Sequence, residues 1–275
     1  MAILDTVYTS SVRQAVLRTL RDDPQTRRHI LDEVDASKSA VYNALNELRD
    51  RRLVAERDDR VWETTGLGDL VADQVDDRER TARVLDDHGD YFASHDAAAL
   101  PRWFRQSLGA LAGCEHLTAP SSDPYRVVRR TATVIEEAES LDVLTPIYHD
   151  RYADAIRSVT DRTQIRLGLD ASILSEVESQ EADDWDHENP TVRIHDHDFA
   201  LTVTHDAVML SLPREDGSYD AQTKLVARSD AALAWGRRLF ESCWGAATPI
   251  GEFAPHLRED DGAEGAPQAV SDTSG

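Results

Sequence analysis

The sequence predicts an α/β protein with a small helical region at its N-terminus and a larger domain with a mostly parallel sheet behind it. Residues 1–65 show helical spacing of apolar side chains and then two strand-like segments. Residues 66–95 form one long helical segment. Residues 96–250 alternate strand-like and helix-like segments, which is typical of layered α/β domains. Residues 251–275 carry six acids and one arginine, and we expect this acidic tail to be disordered.

Three helices and a hairpin are expected in the N-terminal region. The first helix ends before Pro24, because proline cannot continue it, and Ser37 is the N-cap of the third. Two β-rich segments then flank the polar turn Asp58-Asp59-Arg60. The expected bounds are 25–34 for the second helix, 37–52 for the third, and 53–57 and 61–65 for the two strands. Three helices followed by a hairpin are the order of a winged helix-turn-helix domain.

The third helix carries the strongest functional signal. Its inner face is apolar, and its outer face carries short hydrogen-bonding side chains near its start, where such helices enter the major groove. An asparagine there can bond adenine through two hydrogen bonds, and arginines of the hairpin can reach phosphates. A solvated amphipathic helix would look similar alone, but the order of elements favours DNA binding. The residues expected to bind DNA are Ser37, Lys38, Ser39, Tyr42, Asn43, Asn46, Arg57 and Arg60.

The chain is strongly acidic, with a formal charge of −22, but the charge is unevenly distributed. Residues 1–65 hold 11 Lys+Arg against 12 Asp+Glu, so the excess acid lies downstream. The only two lysines are Lys38 and Lys224. High acid content with little lysine is typical of halophilic proteins, and we interpret the acidity as a solubility adaptation. The alternative is a protein that binds basic partners.

The expected location is the cytoplasm. No segment approaches the roughly 20 apolar residues that span a bilayer, and the N-terminus has no basic stretch followed by an apolar one. Cys114 and Cys243 form no C-x-x-C pair, which suits a reducing compartment. We expect inert thiols rather than redox sensors.

The long helix at 66–95 has two interpretations. It packs between domains or between two chains and couples them, or it is a plain connection. Its apolar stripe consists of Leu67, Leu70, Val71, Val75, Val84, Leu85 and His88.

The segments beyond residue 96 set the expected α/β layers. The last two strands, separated by His205-Asp206, are expected to pair as an antiparallel hairpin. Strands are expected at 116–119, 141–148, 165–169, 192–195, 199–203 and 207–212. Helices are expected at 99–112, 124–139, 149–160, 171–182 and 229–243.

Catalytic and metal-binding signals are weak. The sequence lacks G-x-S-x-G, P-loop and dinucleotide-binding glycine motifs. His149-Asp150-Arg151 only partly matches the H-x-K pattern of phospholipase-D-like folds. We therefore expect no catalytic residue, no cofactor and no assigned metal site.

Two further groups of residues were weighed as binding sites. A histidine-rich segment could suit a transition metal, but polar strand ends explain it more simply. Helically spaced aromatics could form a ligand cage, but core packing is the simpler explanation. The histidines are His187, His195, His197 and His205, and the aromatics are Trp103, Phe104, Trp235, Phe240 and Trp244.

Several segments also resemble a family. SVRQAVLRTL, SKSAVYNALNELRDRRLV and VWETTGLG resemble archaeal winged-helix regulators, and YFASHDAAALPRWFRQSLGAL, LDVLTPIYHD, VMLSLPREDGSYD and AALAWGRRLFESCW resemble the FilR-type effector domain of methanogenesis and filament regulators. Together these segments span most of residues 10–250. The resemblance implies a DNA-binding dimer with a C-terminal sensing or oligomerising domain, and it implies no particular ligand.

The sequence therefore predicts a sequence-specific, DNA-binding transcriptional regulator. Its expected partners are promoter DNA, a second copy of the chain and an unidentified small-molecule effector, with no membrane. Two rival functions stay open: a protein-interaction adaptor that uses its winged helix to bind protein, and an enzyme with an appended nucleic-acid module.

The charge of the chain generates a salt prediction. Self-repulsion among the excess acids opposes the compact state when the Debye length is long, about 30 Å at 0.01 M salt. We expect molar KCl to restore a cooperative fold that is lost in dilute buffer. Circular dichroism across a KCl titration checks this, and a fully cooperative native fold at roughly millimolar salt would contradict the halophilic interpretation.

Overall fold

The chain divides into two compact units, Met1–Arg83 and Val84–Gly275. A computed structural model describes residues 2–173 and 189–253. The acidic tail from residue 254 onward, most of the helix expected at 171–182, and His187 lie outside the described residues. The division falls inside the long helix that sequence analysis treated as a linker, and each unit has its own hydrophobic core.

Side-chain caps set the starts of three helices in the first unit. The hydroxyls of Ser10, Thr26 and Ser37 each accept a hydrogen bond from the backbone N–H three residues later. The helices are α1 (Ile3–Tyr8), α2 (Ser11–Asp22), α3 (Arg27–Glu33) and α4 (Lys38–Asp50). The strands are β1 (Gln25–Thr26), β2 (Val54–Glu56) and β3 (Val61–Thr64).

These strands form a three-stranded antiparallel sheet in the order β1-β3-β2. The central strand carries Trp62, which pairs in register with Gln25 on one side and Glu56 on the other and is fully buried. Helices α2, α3 and α4 with this sheet make a winged helix, so the predicted fold of the N-terminal region is confirmed. The two-residue strand β1 was not predicted, because so short a segment has no period of its own.

A long helix, α5 (Gly66–Ser94), leaves the hairpin. The hydroxyl of Thr65 accepts a hydrogen bond from the backbone N–H of Gly68 at 3.0 Å and so caps its first turn. The predicted stripe is partly confirmed: Val71 and Val75 are buried in the core of the first unit. Leu67 and Leu70 are instead 42% and 66% exposed and do not belong to that core.

The second unit contains the end of α5, from Val84 onward, and a layered α/β domain. The helix is interrupted at His88, whose φ of −128° is not helical. The other helices are α6 (Arg102–Gln106), α7 (Arg126–Glu136), α8 (Asp150–Arg157), α9 (Asp230–Ala246) and α10 (Ile250–Phe253). The strands are β4 (Glu115–Thr118), β5 (Ser140–Thr145), β6 (Gln164–Asp170), β7 (Thr191–His195), β8 (Ala200–Thr204), β9 (Val208–Ser211), β10 (Thr223–Ala227) and β11 (Thr248–Pro249).

The sheet of the second unit is mixed. Its order within the described residues is β11-β7-β6-β5-β8-β9-β10-β4. Among the strands that the structure describes, β5, β6 and β7 pair in parallel and the other pairings are antiparallel. The α/β class is confirmed, and the expected mostly parallel arrangement is corrected to a mixed one. The β8–β9 pair is the antiparallel hairpin that the sequence predicts. The other antiparallel pairings arise because β8 lies beside β5 and because β4 and the unpredicted strands β10 and β11 add to the edges of the sheet in antiparallel orientation.

Successive side chains along each strand point to opposite faces of the sheet, so the two faces have different neighbours. In β10, Leu225 and Ala227 face the core that includes α9, while Lys224 lines a cavity on the opposite side. In β8, Leu201 packs in the α9 core and Thr202 faces the cavity. One face of the sheet therefore packs against α9 in a hydrophobic core, and the other face lines a cavity beneath α7 and α8.

A close backbone approach in the first unit generates a stability prediction. A Cβ atom at Gly68 would lie 2.0 Å from the carbonyl oxygen of Leu53, and backbone cannot move aside as a side chain can. We expect Gly68→Ala to lower the free energy of unfolding by about 1–3 kcal/mol or more. Gly66→Ala is the matched control, because nothing lies within 4 Å of its Cβ position. Chemical denaturation of both variants checks this, and equal stabilities would contradict it.

Candidate nucleic-acid interface and internal cavity

The outer face of α4 presents a group of exposed polar side chains. Val41, Leu45 and Leu48 are buried in the core of the first unit, which turns the opposite face outward. The exposed side chains on that face are Lys38, Ser39, Asn43 and Asn46. The structure thus places four of the residues predicted to bind DNA on one surface. The short side chain of Ser39 lies at the N-terminal end of the helix.

Tyr42 differs from its neighbours because it is half-buried. The guanidinium of Arg27, at the start of α3, lies 5.0 Å from the centre of the Tyr42 ring and 5.2 Å from that of Trp62. Such cation–π contacts are worth about 0.5–2 kcal/mol, more where water is excluded. Arg27 therefore joins α3, α4 and β3, and Tyr42 is a packing residue as well as a candidate DNA contact.

Ser37 has a structural role in addition to its position next to the interface. Its hydroxyl accepts a hydrogen bond from the backbone N–H of Ala40 at 3.3 Å and lies 3.2 Å from the hydroxyl of Ser39. An N-cap of this kind stabilises a helix by about 1 kcal/mol. Ser37 therefore sets where α4 begins.

The two arginines of the hairpin have different environments. Arg57 forms an ion pair with Glu63, and this carboxylate raises the pKa of the arginine. Arg60 is exposed and has a φ of 64°, in the left-handed region. Asp58 and Asp59 lie between them at the tip of the hairpin. The positive charge of the hairpin is thus partly neutralised from within.

Sequence analysis missed the role of Arg27. The pair Arg27-Arg28 at the start of α3 was the available signal, but its partners Tyr42 and Trp62 are distant in sequence. A further cation, Arg49 on α4, lies 5.9 Å from the centre of the Trp62 ring. The buried indole is therefore approached by arginines from two helices.

The second unit contains an internal cavity of about 270 Å³. Its walls are the faces of β5, β6 and β8 together with α7 and α8, and they are mainly aliphatic. Pockets of this size, apolar and with few polar groups, are typical of small-molecule sites. Lys224, from β10, is the lysine of this cavity and is only 3% exposed.

Lys224 lies among aromatic rings rather than carboxylates. Its Nζ is 5.7 Å from the ring centre of Tyr152 and 6.0 Å from that of Tyr219. Within residues 2–173 and 189–253, no ion pair shorter than 4.0 Å involves this lysine. Burial lowers its pKa, since the charged form loses its hydration.

The two tyrosines remain protonated. Burial raises the pKa of Tyr152, and it raises that of Tyr219 to about 12. The hydroxyl of Tyr152 is buried and lies near that of Thr131, which opposes the rise in its pKa, but no hydrogen bond within 3.5 Å satisfies it among the described residues. Thr131 lines the same cavity but donates its hydroxyl proton to the carbonyl of Val127 at 2.9 Å.

Asp220 is the acid closest in sequence to Tyr219, and its hydrogen-bonding capacity is already used. One carboxylate oxygen accepts from the Thr223 hydroxyl at 2.6 Å and from His95 Nε2 at 3.0 Å. The other accepts from the backbone N–H of Gln222 at 2.8 Å and from Arg214 at 3.2 Å. Burial raises the pKa of Asp220, but these hydrogen bonds outweigh it and the pKa is lowered overall.

The histidine-rich segment has structural partners. His195 Nε2 donates to the carbonyl of Gly168 at 3.2 Å, and its Nδ1 accepts from the backbone N–H of His197 at 3.0 Å. Burial lowers the pKa of His195 to about 4, so the ring is neutral. His205 Nδ1 accepts from the backbone N–H of Glu139 at 3.3 Å. Across the described residues, no three His, Cys, Asp or Glu side chains converge on one point.

The aromatics and cysteines are mostly core residues. Phe104, Trp235, Phe240 and Trp244 are buried in the core against α9, as predicted, but Trp103 is 57% exposed and the core interpretation is wrong for it. The cause is its position on the short helix α6, which buries Phe104 instead. Burial raises the pKa of Cys114 to about 11 and that of Cys243 to about 12, which keeps both thiols unreactive.

Comparisons with known families account for most of the chain. Residues 124–246, which contain the cavity and most of the sheet, match the family model described as the methanogenesis regulatory protein FilR1, middle domain. Residues 3–86 match the HVO_A0261 N-terminal domain. The resemblance to archaeal regulators is thereby confirmed.

A named relative and two solved structures are more distant. The methanogenesis regulatory protein FilR1 of Methanothrix harundinacea (strain 6Ac) is 23% identical over 218 residues, covering 74% of this chain and 48% of the relative. The chain thus spans about half the length of that relative. The archaeal chromatin protein TrmBL2, described with a novel mode of DNA binding, is 11% identical with a TM-score of 0.40 over 90% of this chain and 98% of its own. An IclR-type transcriptional regulator from Alicyclobacillus acidocaldarius is 8% identical, with a TM-score of 0.25 over 88% and 96%.

These names bear on function only in a general way. TM-scores of this size carry no argument about mechanism. The family model and the named relative are both described as regulatory proteins. None of the described helices has the length and apolar character to cross a bilayer.

The hydrogen bonds of Asp220 generate a pH prediction. Because its pKa is lowered in the folded state, its contribution to stability is present above its unfolded pKa, about 3.9, and is lost as pH falls through the folded value. Asp220→Asn should lower the free energy of unfolding by about 1–3 kcal/mol at neutral pH. The difference from wild type should shrink below about pH 4.

Chemical denaturation at several pH values measures this difference. Asp216→Asn is the matched control, because Asp216 is exposed and accepts hydrogen bonds only from its neighbour Ser218 among the described residues. A loss for Asp220→Asn that is equal at neutral and acid pH would show that the carboxylate charge is not responsible.

Proposed function

We propose that this protein is a sequence-specific, DNA-binding transcriptional regulator that reads bases with α4. The observation that supports this most is the outer face of α4, whose exposed Lys38, Ser39, Asn43 and Asn46 are held outward by a buried apolar face. Side chains of these types, at the N-terminal half of the third helix of a winged helix, suit base edges in a major groove. The regulator relatives agree with this function.

The proposal assigns different tasks to different side chains. Asn43 and Ser39 read bases, because their short side chains are exposed on the first two turns of α4. Lys38 and Arg60 contact phosphates, because both are exposed cations. Arg57 can contact a phosphate only after its ion pair with Glu63 breaks, so its contribution to DNA affinity is smaller. Tyr42 holds α4 against Arg27 and contributes to DNA binding through position.

We further propose that the chain acts as a dimer on two half-sites and that its second unit senses a small molecule. Winged-helix and related regulators commonly bind pseudo-palindromic operators as dimers. A partly open, largely apolar cavity in a unit separate from the one proposed to bind DNA supports the sensing role. The cytoplasm is the compartment in which such a regulator would work.

A protein-interaction adaptor is the second candidate function. The observation that favours it is the hairpin, where Glu63 pairs with Arg57 and where Asp58 and Asp59 occupy the tip. Acids at that position repel phosphates and are compatible with a protein partner.

Substitutions on α4 and on the hairpin separate base reading from phosphate binding. We expect Asn43→Ala to cost about 1–3 kcal/mol of binding free energy and to relax preference at one base position. We expect Arg60→Ala to weaken binding to all sequences alike. The slope of the logarithm of the binding constant against the logarithm of the salt concentration, called the salt slope below, should become shallower by about one unit. The measurement is binding to a library of operator variants at several KCl concentrations.

The control for these variants is Arg105→Ala, which removes an exposed arginine from α6 in the other unit. Its affinity and salt slope should match those of the wild type. If Asn43→Ala keeps both affinity and base preference, α4 does not read bases, and the adaptor becomes the leading function.

A further inference from the structure

The cavity of the second unit holds a buried lysine that has no ion-pair partner among the described residues. Lys224 reaches it because β10 alternates: Leu225 and Ala227 pack toward α9, which leaves Lys224 directed into the space beneath α8. Removing an ammonium from water is costly unless an anion compensates. Within residues 2–173 and 189–253, no carboxylate forms an ion pair with it.

The neighbouring groups of the protein do not supply the missing negative charge. Tyr152 and Tyr219 are neutral phenols that approach Lys224 with their rings. Asp220 attracts the lysine electrostatically, but its two oxygens already accept four hydrogen bonds. The amino group of Lys224 thus lies among two aromatic rings and aliphatic walls, and an anion bound beside it would favour its charged form.

A second polar group points to the same place. The hydroxyl of Tyr152, on a residue whose ring contacts Lys224, is buried; Thr131 is a nearby acceptor, but no hydrogen bond within 3.5 Å satisfies the phenol among the described residues. Buried donors are rarely left unsatisfied, because doing so costs about 1–3 kcal/mol. A carboxylate is an acceptor with two oxygens, so one oxygen can take the ammonium and the other the phenol.

The remaining walls select the rest of the ligand. Aliphatic side chains, among them Ile135, Val143, Leu167 and Leu169, line much of the rest of the cavity, and its volume of about 270 Å³ admits a small molecule. We infer that the cavity binds a small organic monocarboxylate with an apolar body, whose carboxylate contacts Lys224 and Tyr152. This inference deepens the proposed sensing role: regulation by the ligand rests on the proposed function, but binding of the ligand does not.

The experiment compares carboxylates with their neutral amides on the full chain at a fixed KCl concentration. The probes are hexanoate, 3-phenylpropanoate and indole-3-acetate, each beside its matched amide, and isothermal titration calorimetry measures binding. We expect at least one carboxylate to bind about tenfold or more tightly than its amide, a difference of about 1.4 kcal/mol.

Three variants make the test specific. Lys224→Met keeps the length of the side chain, removes the cation and should abolish the preference for the carboxylate. Tyr152→Phe removes only the unpartnered hydroxyl, leaves the packing intact and should weaken carboxylate binding severalfold. Arg105→Met is the control, because it removes an exposed cation of the same unit that does not line the cavity, and it should leave carboxylate binding unchanged.

DNA binding by the same preparations separates the two proposals. Carboxylate binding without DNA binding would support the cavity and contradict the proposed regulator. DNA binding by a chain that prefers no carboxylate over its amide would overturn the cavity ligand and leave the regulator standing. Equal carboxylate binding by the wild type, Lys224→Met and Tyr152→Phe would also overturn the proposed cavity ligand.

Discussion

The arrangement of the candidate DNA-binding surface depends on one buried side chain, Trp62. Its strand is the central one of the small sheet, so Trp62 is in register with both β1 and β2. Arg27 lies between its ring and that of Tyr42 and thereby fixes α3 and α4 against the hairpin. The polar face of α4 can be presented in a defined orientation because its other side is held in this way.

Sequence periodicity predicted the elements of the first unit because each carries a local signal. The cap at Ser37, the apolar spacing of α4 and the polar turn of the hairpin are all encoded within a few residues. The outward placement of Asn43 follows from the same spacing. The ion pair between Arg57 and Glu63 cannot be predicted from this spacing, and neither can the cation–π contacts of Arg27. Both join residues whose distance depends on the fold.

The second unit shows where local patterns are insufficient. Strand β10 was missed because Lys224 interrupts its apolar pattern, and that interruption is the feature that gives the cavity its charge. The pairing of strands depends on long-range connections, so alternation of strands and helices led to a parallel sheet where the structure has a mixed one. A lysine inside an apolar segment of a chain with only two lysines was the signal that could have indicated the site.

Genome-wide occupancy of the tagged chain tests most directly whether the winged helix recognises DNA sequence. The account predicts discrete peaks at promoters that share a common sequence, and a chain with Asn43→Ala should lose those peaks while it remains folded. A wild-type chain that shows no discrete peaks, yet is recovered in stable complexes with other proteins, would contradict the claim and identify the winged helix as a protein-binding module.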